Sequence, residues 1–405
     1  MPKDEVVVSG SPESPSPGQL RGTLVYDGDC GFCRLWVERW RRLAGQGVTF
    51  IPFQEARIDG LDQASCMKAV QWVGADGTRA SGAEAVFRLL AEESFLYALL
   101  LKAYLACRPF AWITRVGYEF VADHRPAFSW ATKLLWGKDV RSPTFGVATT
   151  WFLRALGAIY LLAFVSFWVQ APGLVGSTGI APSPAFFQQA EEALGGKNFH
   201  LLPSVLWFSA GDTALAAWSA AGVLASLGIL FGIFRAPALI VAWAVYLSLC
   251  LGGGVFYQFQ WDILLLETGF LAVFLTPWTI RATPHVSPPR LARFLLVWLL
   301  FRLVFASGVV KLSSGDPTWW PALTALDFHY VTQPLPTPLA WFAHQWPSWF
   351  QKASVLVMFF IELVLPFFIF APRRLRLLAA AGFVFLQALI IVTGNYGFFN
   401  LLTLA

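Results

Sequence analysis

The chain has 405 residues and a composition unlike that of a soluble enzyme. Hydrophobic residues make up 57% of it, charged residues only 13%, and it contains 19 Trp. Several apolar runs approach the length that spans a bilayer. The net charge of +5 is modest, and the basic residues of the C-terminal part lie mostly in short loops between these runs. We therefore predict a multi-pass protein whose partner is the lipid bilayer, with no nucleic-acid partner.

The first segment, residues 1–20, is polar and rich in Ser and Pro. It lacks the apolar stretch of a signal peptide, and its composition predicts a disordered tail. The cysteines are too few and too scattered for a disulfide framework, and only the first two form a close pair. The five are Cys30, Cys33, Cys66, Cys107 and Cys250.

A short apolar run at Thr23 to Asp27 predicts a buried strand, and GDCGFC follows it before a helical pattern. A cysteine at a helix N-terminus is favoured as a thiolate by unpaired N–H groups and by the macrodipole. Cys33 lies one turn after Cys30 and could resolve a mixed disulfide. Asp27 and Asp29 act in the opposite direction, because nearby negative charge raises a thiol pKa.

The elements that follow complete a small α/β unit. We predict strands at 48–53 and 67–73, a turn at 75–77 and an amphipathic helix at 81–93. The order begins with the βαβ unit of a thioredoxin-like fold. The fold class is therefore mainly α: a transmembrane helical bundle preceded by a small α/β thioredoxin-like domain.

Three motifs in this region resemble the DCC family of thiol–disulfide oxidoreductases: YDGDCGFC, SGAEAVFRLL and GYEFVADHR at 117–125. The resemblance covers roughly residues 21–137, which we assign to a domain at 21–140. It implies that Cys30 is the attacking thiol and Cys33 the resolving thiol. No proline directly precedes the predicted strand at 67–73, so a cis-proline loop facing the cysteines has no place here.

Two other interpretations of the cysteine pair stay open. The pair could be half of a zinc site, but there is no second pair, and Cys66 and Cys107 stand alone. It could also be an inactive remnant. We favour a redox pair with a thiol redox partner, treat Cys66 and Cys107 as packing residues, and expect neither a metal site nor a cofactor.

Seven apolar runs after residue 141 predict membrane spans. They are 145–170, 213–233, 236–258, 263–280, 292–312, 351–371 and 377–394. The chain stops inside a further apolar stretch, FFNLLTLA. We expect this domain, at 141–405, to continue in the natural protein.

Basic residues are distributed unevenly among the loops. One side of the predicted bundle has ten basic residues: Lys133, Lys138 and Arg141 before the first span, and seven more in alternate loops. The other side has three, which are Lys197, Lys311 and Lys352. This bias predicts that the cysteine domain is cytoplasmic. Because the cytosol is reducing, a cytoplasmic pair is better suited to a reductase or a redox sensor than to an oxidant of secreted proteins.

Six ionisable residues lie within or near the ends of the predicted spans. They are Arg154, Asp262, Glu267, Arg302, Lys311 and Glu362. Each is costly in hydrocarbon, so we expect it to face the bundle interior, a cavity or an opposite charge. Glu267 or Glu362 could pair with Arg302, which lies about 13–14 Å along the helix from Lys311.

Four blocks of the C-terminal part resemble the lipase maturation factor family. They are GLVGSTGIAPS at 173–183, FYQFQWDILLLETGFLAVFLTPW at 256–278, the segment 302–347, and TGNYGFFNLLT at 393–403. The resemblance runs from about Arg141 to the end. It implies a membrane protein that helps secreted lipases to reach their active form. In eukaryotes the family lies in the endoplasmic reticulum membrane, whereas the DCC-like fusion suggests a bacterial cytoplasmic membrane.

A second similarity concerns Lys311. The sequence GVVKL followed by D-x-T-W is similar to the membrane domain of vitamin K-dependent carboxylases, which implies that Lys311 could act as a base. Desolvation can lower a lysine pKa toward the range that a general base needs. The simpler interpretation, which we favour, is that Lys311 extends to the membrane interface.

The loop at 313–350 is the candidate client-facing surface. Its candidate residues are Asp316, Trp319, Trp320, Asp327, His329 and Tyr330. An alternative interpretation is that the aromatic residues of this loop, including Trp341, Trp346 and Trp349, lie at the headgroup level of the membrane, as aromatic rings often do. Asp327, His329 and His344 lack the spacing of metal ligands.

The sequence supports three functional hypotheses. The first is a maturation factor for secreted lipases or related exported proteins, fused to a thiol–disulfide oxidoreductase domain. The second is a membrane enzyme that uses Lys311 as a base. The third is a redox sensor or relay in which Cys30 and Cys33 report the cytoplasmic thiol state to the bundle.

Overall fold

The computed structural model describes residues 21–45, 47–91, 95–281 and 287–405. The chain forms two compact units, divided between Pro143 and Thr144. The predicted tail at 1–20 and the last two residues of the predicted helix at 81–93 lie outside the described residues. Each unit is described by itself below.

The N-terminal unit contains a four-stranded sheet in the order β2-β1-β3-β4. The strands are β1 Gly22–Tyr26, β2 Val48–Pro52, β3 Gln71–Gly74 and β4 Arg79–Ser81. β1 is parallel to β2 and antiparallel to β3, so Leu24 lies between Phe50 and Trp72. Leu24 and Trp72 are buried in the core of the unit. This confirms the predicted thioredoxin-like domain.

Three helices accompany the sheet: α1 Gly31–Leu43, α2 Gln63–Lys68 and α3 Ala83–Ala91. The predicted strand at 67–73 is wrong at its start, because Met67 and Lys68 belong to α2. The Asp62 carboxylate caps this helix by accepting a hydrogen bond from the Ser65 amide at 3.2 Å. The strand therefore begins only at Gln71.

Three more helices complete this unit: α4 Phe95–Ala106, α5 Arg108–Asp123 and α6 Arg125–Trp136. α4 and α5 meet at an angle of 109°, and together they have the length and apolar composition of a membrane span. Pro109 lies in the first turn of α5, where it is tolerated because its missing N–H has no helical acceptor. This apolar pair was not among the spans predicted from the sequence.

Six of the seven predicted spans are confirmed as helices long and apolar enough to cross a membrane, within the described residues. They are α7 Gly146–Leu174, α9 Asp212–Phe231, α10 Arg235–Gly252, α12 Arg290–Ser313, the helix Ser348–Phe368, and α17 Arg373–Thr393. The fifth consists of α15 Ser348–Phe359, a π-helical turn Phe360–Val364, and α16 Leu365–Phe368. The chain is a multi-pass membrane protein.

Shorter helices lie between these spans: α8 Ser183–Leu194, α11 Gln260–Val273, α13 Ala325–Thr332, α14 Pro338–His344 and α18 Phe399–Leu404. The predicted helical span at 263–280 is therefore wrong at its end. α11 has 14 residues, which extend about 21 Å, less than the hydrocarbon core of a bilayer.

The segment after α11 nevertheless returns the chain to the turn between α9 and α10. The Phe234 amide donates to the Ile280 carbonyl at 2.8 Å, and Ile233 forms a β-bridge with Arg281. α11 and the irregular residues after it therefore cross the bundle together. Irregular backbone at this depth requires protein rather than lipid around it.

The starts of α7, α12 and α17 lie at the same end of the bundle. The guanidinium of Arg293 is 4.2 Å from the Phe145 ring centroid, and that of Arg376 is 6.0 Å from it. The end of α9 also lies close to α7 on this side. Gly157 of α7 is so near to Leu230 of α9 that an added Cβ would lie 2.7 Å from the Leu230 amide nitrogen. The basic helix starts thus cluster at one end.

The opposite end joins the loop after α12 to the end of α17. Pro336 forms a β-bridge with Gly394, and the Gln333 amide donates to the Thr393 carbonyl at 2.8 Å. The long loop predicted at 313–350 is therefore partly helical, through α13 and α14, and is fixed to a span at the end remote from the basic cluster.

Candidate functional site

The cysteine pair lies at the start of α1, and three residues separate Cys30 from the end of β1. Cys30 is the N-cap residue, and its Sγ accepts a hydrogen bond from the Cys33 amide at 3.3 Å. Both cysteines are free thiols. The strand, the short loop and the helix therefore place the Cys30 sulfur in the field of the helix N-terminus.

The two thiols differ in their surroundings. Cys30 is half-buried, whereas Cys33 is buried inside the unit. Burial, followed by the hydrogen bond and charge of Cys30, raises the pKa of Cys33 to about 12. Cys33 therefore keeps its proton at neutral pH, and Cys30 is the accessible sulfur. This asymmetry is the one required of an attacking and a resolving thiol.

A hydrogen-bonded network holds the loop that precedes the cysteines. The Gln54 side-chain amide donates to Asp27 at 3.0 Å and to Asp29 at 3.1 Å. Its carbonyl accepts from the Gly28 amide at 3.1 Å. Asp27 adds to the rise in the pKa of Cys33, the direction that the sequence predicts for a nearby carboxylate.

Arg125 opposes that effect. Its guanidinium lies 3.9 Å from the Asp27 carboxylate and also donates to the Met67 and Lys68 carbonyls. Its charge lowers the pKa of Cys33, against the larger contribution of burial. Sequence reasoning did not single out Gln54 or Arg125. Arg125 could have been found, because it ends the motif GYEFVADHR.

The segment before β3 faces the buried thiol. Ala69 and Val70 line the same cavity as Cys33 and Cys66, and the Val70 amide donates to the Tyr118 hydroxyl at 3.1 Å. Burial raises the pKa of Tyr118, so this hydroxyl stays neutral. The position opposite the cysteines is thus occupied by small apolar residues and a tyrosine hydroxyl.

The second candidate region lies in the membrane unit, around Lys311. Its Nζ lies 2.7 Å from both carboxylate oxygens of Glu362 and 3.2 Å from the Ser307 carbonyl. Glu362 is buried and lies in the π-helical turn. A buried carboxylate needs a partner that donates hydrogen bonds. Lys311 is therefore paired with a buried carboxylate of a neighbouring helix, one of the environments expected for an intramembrane charge.

One loop residue joins this pair. The Lys311 ammonium lies 5.6 Å from the Trp319 ring centroid, within the range of a cation–π contact. Trp319 also packs edge-on against Phe359, at 6.4 Å between centroids. On α13, burial and the charge of Lys311 lower the pKa of His329.

The other loop candidates do not join this group by any contact that the structure records. The Asp316 carboxylate accepts two hydrogen bonds from Thr318 at 2.8 Å, which lower its pKa. Trp320 is 58% exposed. Asp327 lies in the first turn of α13, and Tyr330 is half-buried beside His329.

The remaining intramembrane charges fall into two groups. Arg302 pairs with Glu267, one of the two expected pairings, and the buried Asp262 carboxylate accepts from the Tyr246 hydroxyl at 2.6 Å. Arg154 is exposed, with its guanidinium 5.3 Å from the Trp151 ring. Arg154 lies within three turns of the start of α7, and this ring, rather than a carboxylate, is the contact recorded for it.

No set of three or more His, Cys, Asp or Glu side chains within the described ranges is arranged to hold a metal ion. His344 lies on α14, and its Nδ1 is buried. Asp327 and His329 lie on α13 instead.

Comparison with known proteins addresses the membrane unit first. Residues 147–405, more than half of the chain, match the family described as the lipase maturation factor transmembrane domain. This chain belongs to the lipase maturation factor family. Residues 24–131 match the family of DCC1-like thiol-disulfide oxidoreductases, as the cysteine motif predicts.

Three relatives show the extent of the similarity. Lipase maturation factor 2 of Xenopus tropicalis is 47% identical over 278 residues, covering 64% of this chain and 38% of the relative. The protein of that name from Homo sapiens is 46% identical over 274 residues, 62% and 38% of the two chains. Lipase maturation factor 1 of Bos taurus is 36% identical over 275 residues, 65% and 49%.

The chain thus spans less than half the length of these relatives. No solved structure matches it.

Proposed function

We propose that this chain is a membrane-embedded maturation factor that assists secreted lipases or related exported proteins. The observation that carries the proposal is the match of residues 147–405 to the lipase maturation factor transmembrane domain. The name of the relatives states a role in lipase maturation, and the shared part is the membrane bundle.

The N-terminal unit acts as a thiol–disulfide oxidoreductase. The Cys30 thiolate attacks a disulfide of a redox partner, forming a mixed disulfide and releasing one partner thiolate. The Cys33 sulfur, after losing its proton, then attacks Cys30, forming the Cys30–Cys33 disulfide and releasing the second partner thiolate. Two electrons pass from the chain to the partner. The helix-capping position of Cys30 and the burial of Cys33 support this division of roles.

The orientation follows from the basic residues. Arg293 and Arg376 at one end of the bundle support a cytoplasmic location for that end, together with the basic residues Lys133 and Lys138 that precede α7. The N-terminal unit then faces the cytoplasm, in a bacterial cytoplasmic membrane or, in a eukaryote, in the endoplasmic reticulum membrane. A reducing compartment suits a reductase or relay.

The loop after α12 is the surface for the client. Trp320, Phe328, Val331 and Leu335 are all more than half exposed, and the loop lies at the end remote from the basic cluster. An exported client would meet this end. Exposed aromatic and aliphatic side chains are the groups that hold an unfolded or partly folded apolar segment.

The hypothesis of an enzyme with Lys311 as base gains no support from the site. The Lys311 Nζ donates to both oxygens of Glu362 and to a backbone carbonyl, so its contacts within the chain already account for the hydrogen bonds that a lysine can make. The geometry favours a structural role for Lys311, as the partner of a buried charge.

Cells that lack this chain provide the test of the maturation role. Secreted lipase activity is measured at equal lipase protein, with and without the wild-type chain, and with Cys30→Ser. We expect the wild-type chain to raise the specific activity several-fold. Equal specific activity with and without the chain would contradict the proposal. If the wild-type chain raises the specific activity of the lipase and Cys30→Ser does not, maturation depends on the thiol pair.

A further inference from the structure

An apolar cavity of about 550 Å³ lies inside the N-terminal unit, beside the buried thiol. α1, α3, α5 and α6 form its walls together with the residues before β3. Its lining includes Cys33, Trp36, Val86, Tyr118, Ala122 and Phe128. Its volume is within the range of pockets that hold drug-sized molecules.

The cavity contains a hydrogen-bond donor without an acceptor. The Trp36 Nε1 atom is buried and has no hydrogen-bond partner among the described residues, and an indole nitrogen can only donate. The Tyr118 hydroxyl accepts from the Val70 amide and still carries its own hydrogen. A buried unpaired donor is unfavourable by about 1–3 kcal/mol. An occupant with a carbonyl oxygen would remove that deficit.

Aromatic rings supply much of the lining. Phe32, Trp36 and Trp40 project from one face of α1, with the Trp36 ring centroid 6.2 Å from each of the other two. Phe87 and Phe128 line the cavity from α3 and α6. Such walls favour a flat ring, which can pack against aromatic faces and edges.

Two of the helices beside the cavity, α4 and α5, have the composition of a membrane segment. α4 and α5 together are long and apolar enough for a span, yet they are bent at 109°. Tyr97 and Thr114 on these helices line the cavity, whereas Leu99 and Ile113 are exposed. An apolar helix pair of this length and composition is suited to contact with lipid, and such contact would give a molecule dissolved in lipid a route to these helices.

We propose that this cavity binds a membrane-soluble quinone, which oxidises the Cys30–Cys33 dithiol. A quinone is flat and apolar, carries carbonyl oxygens for the Trp36 donor, and accepts two electrons. The Cys30 thiolate and the Cys33 thiol lose two electrons and form one S–S bond, and the Cys33 S–H bond breaks. The two electrons, the Cys33 proton and one proton from water reduce the quinone to a quinol. The proposal rests on the thiol–disulfide activity proposed above, with the quinone taking the two electrons of the dithiol in place of a partner disulfide.

The test uses the full chain in lipid nanodiscs, reduced beforehand and kept free of oxygen. The probe is a naphthoquinone with one five-carbon side chain. Quinol formation is followed by absorbance, and the loss of free thiol at Cys30 and Cys33 by alkylation. We expect one quinone to be reduced per dithiol. In parallel, oxidised glutathione serves as a soluble oxidant that needs no apolar cavity.

A matched pair of variants locates the reaction. Ala122→Phe fills the cavity, while Ala127→Phe makes the same change at an exposed position on α6. We expect Ala122→Phe to slow quinone reduction at least tenfold, Ala127→Phe to leave it unchanged, and both to react with oxidised glutathione at the wild-type rate. A wild-type quinone rate in Ala122→Phe would overturn the site, as would equal slowing with both oxidants.

Direct binding separates this proposal from the proposed thiol chemistry. If neither oxidant reacts, the thiol activity fails, and equilibrium binding of the naphthoquinone decides whether the site exists. Binding that Ala122→Phe abolishes upholds it, and binding that is absent or unchanged overturns it. Trp36→Phe keeps a ring but removes the donor, so we expect about tenfold weaker binding, or ~1.4 kcal/mol. Trp130→Phe, at an exposed position, is its control.

Discussion

Lys311 and Glu362, 51 residues apart in sequence, form an ion pair in which both oxygens of the buried carboxylate lie 2.7 Å from the partly buried ammonium. The π-helical turn at Phe360–Val364 contains the glutamate. Gly308, one turn before the lysine, lets the two helices approach, because a Cβ there would lie 3.0 Å from the Glu362 Cβ. The pair therefore joins α12 to the helix Ser348–Phe368 inside the bundle.

The first prediction concerns the removal of one partner. Lys311→Met leaves the Glu362 carboxylate buried without a counter-charge, so we expect a loss of stability of about 3–5 kcal/mol. The double variant Lys311→Met with Glu362→Met replaces the pair by apolar side chains and should be closer to the wild type than either single variant. Thermal unfolding in detergent, arranged as a double-mutant cycle, measures the coupling.

This cycle also separates a structural lysine from a catalytic one. A catalytic base would leave the unfolding temperature of Lys311→Met near the wild-type value while activity disappears. A structural partner predicts the reverse, with maturation activity falling in proportion to the folded fraction and returning in the double variant.

The second prediction tests the close approach at Gly308. Gly308→Ala places a methyl group 2.7 Å from the Leu363 Cδ2 and 3.0 Å from the Glu362 Cβ. We expect a loss of about 1–3 kcal/mol from overpacking. Gly173→Ala is the matched control, since nothing lies within 4 Å of its added Cβ. Similar unfolding temperatures for the two variants would show that α12 and the π-helical turn are not held at this distance.

The third prediction concerns the reactivity of the thiol pair. Because burial raises the pKa of Cys33 to about 12, this thiol should react slowly with iodoacetamide at pH 8 in the reduced chain. Mass spectrometry after brief treatment should find the alkyl group on Cys30. Cys30→Ser removes the contributions of Cys30 to this shift, but burial, the largest, remains, so Cys33 should still react more slowly at pH 8 than an exposed thiol. Equal labelling of the two positions at pH 8 would contradict the asymmetry.

The fourth prediction is a pH dependence of stability with a defined sign. The pKa of Cys33 is raised from 9.0 to about 12 in the folded chain, so the folded state holds the thiol proton more tightly than the unfolded state. Its contribution is present in full below pH 9 and is lost as the pH rises toward 12. Cys33→Ala should lose less stability across this window than the wild type. If the free energy of unfolding falls with pH equally steeply in Cys33→Ala and in the wild type, the raised pKa of Cys33 is contradicted.

Local patterns in the sequence predicted much of the fold. The strand, the CxxC motif and the helix are adjacent in the chain, so their geometry follows from neighbours alone, as does the N-cap position of Cys30. Six spans followed from continuous apolar runs. The predicted span at 263–280 differed from the observed helix α11. Its apolar run continues past Val273, but the helix ends there, and the following residues instead form the contact between Arg281 and Ile233.

Long-range partners could not be predicted in the same way. Either Glu267 or Glu362 was a possible partner of Arg302. The structure pairs Arg302 with Glu267 and leaves Glu362 to Lys311, a pairing that the sequence did not predict. Which cation faces Glu362 depends on the rotation of α12 and on the π-helical turn. No apolar periodicity fixes either. Gln54 likewise reaches Asp27 and Asp29 only because β2 lies beside β1.

The last prediction separates packing from client binding in the loop after α12. Trp319 packs against Phe359 and Lys311, so Trp319→Ala should lower the free energy of unfolding by roughly 1–3 kcal/mol. Trp320, its neighbour, is 58% exposed. Trp320→Ala should leave the unfolding temperature unchanged and reduce the specific activity of the secreted lipase at least twofold. Both readouts are needed, since a folding defect alone would lower maturation in Trp319→Ala. A client-facing loop is contradicted if Trp320→Ala supports full lipase activity and site-specific crosslinks from position 320 recover only lipid.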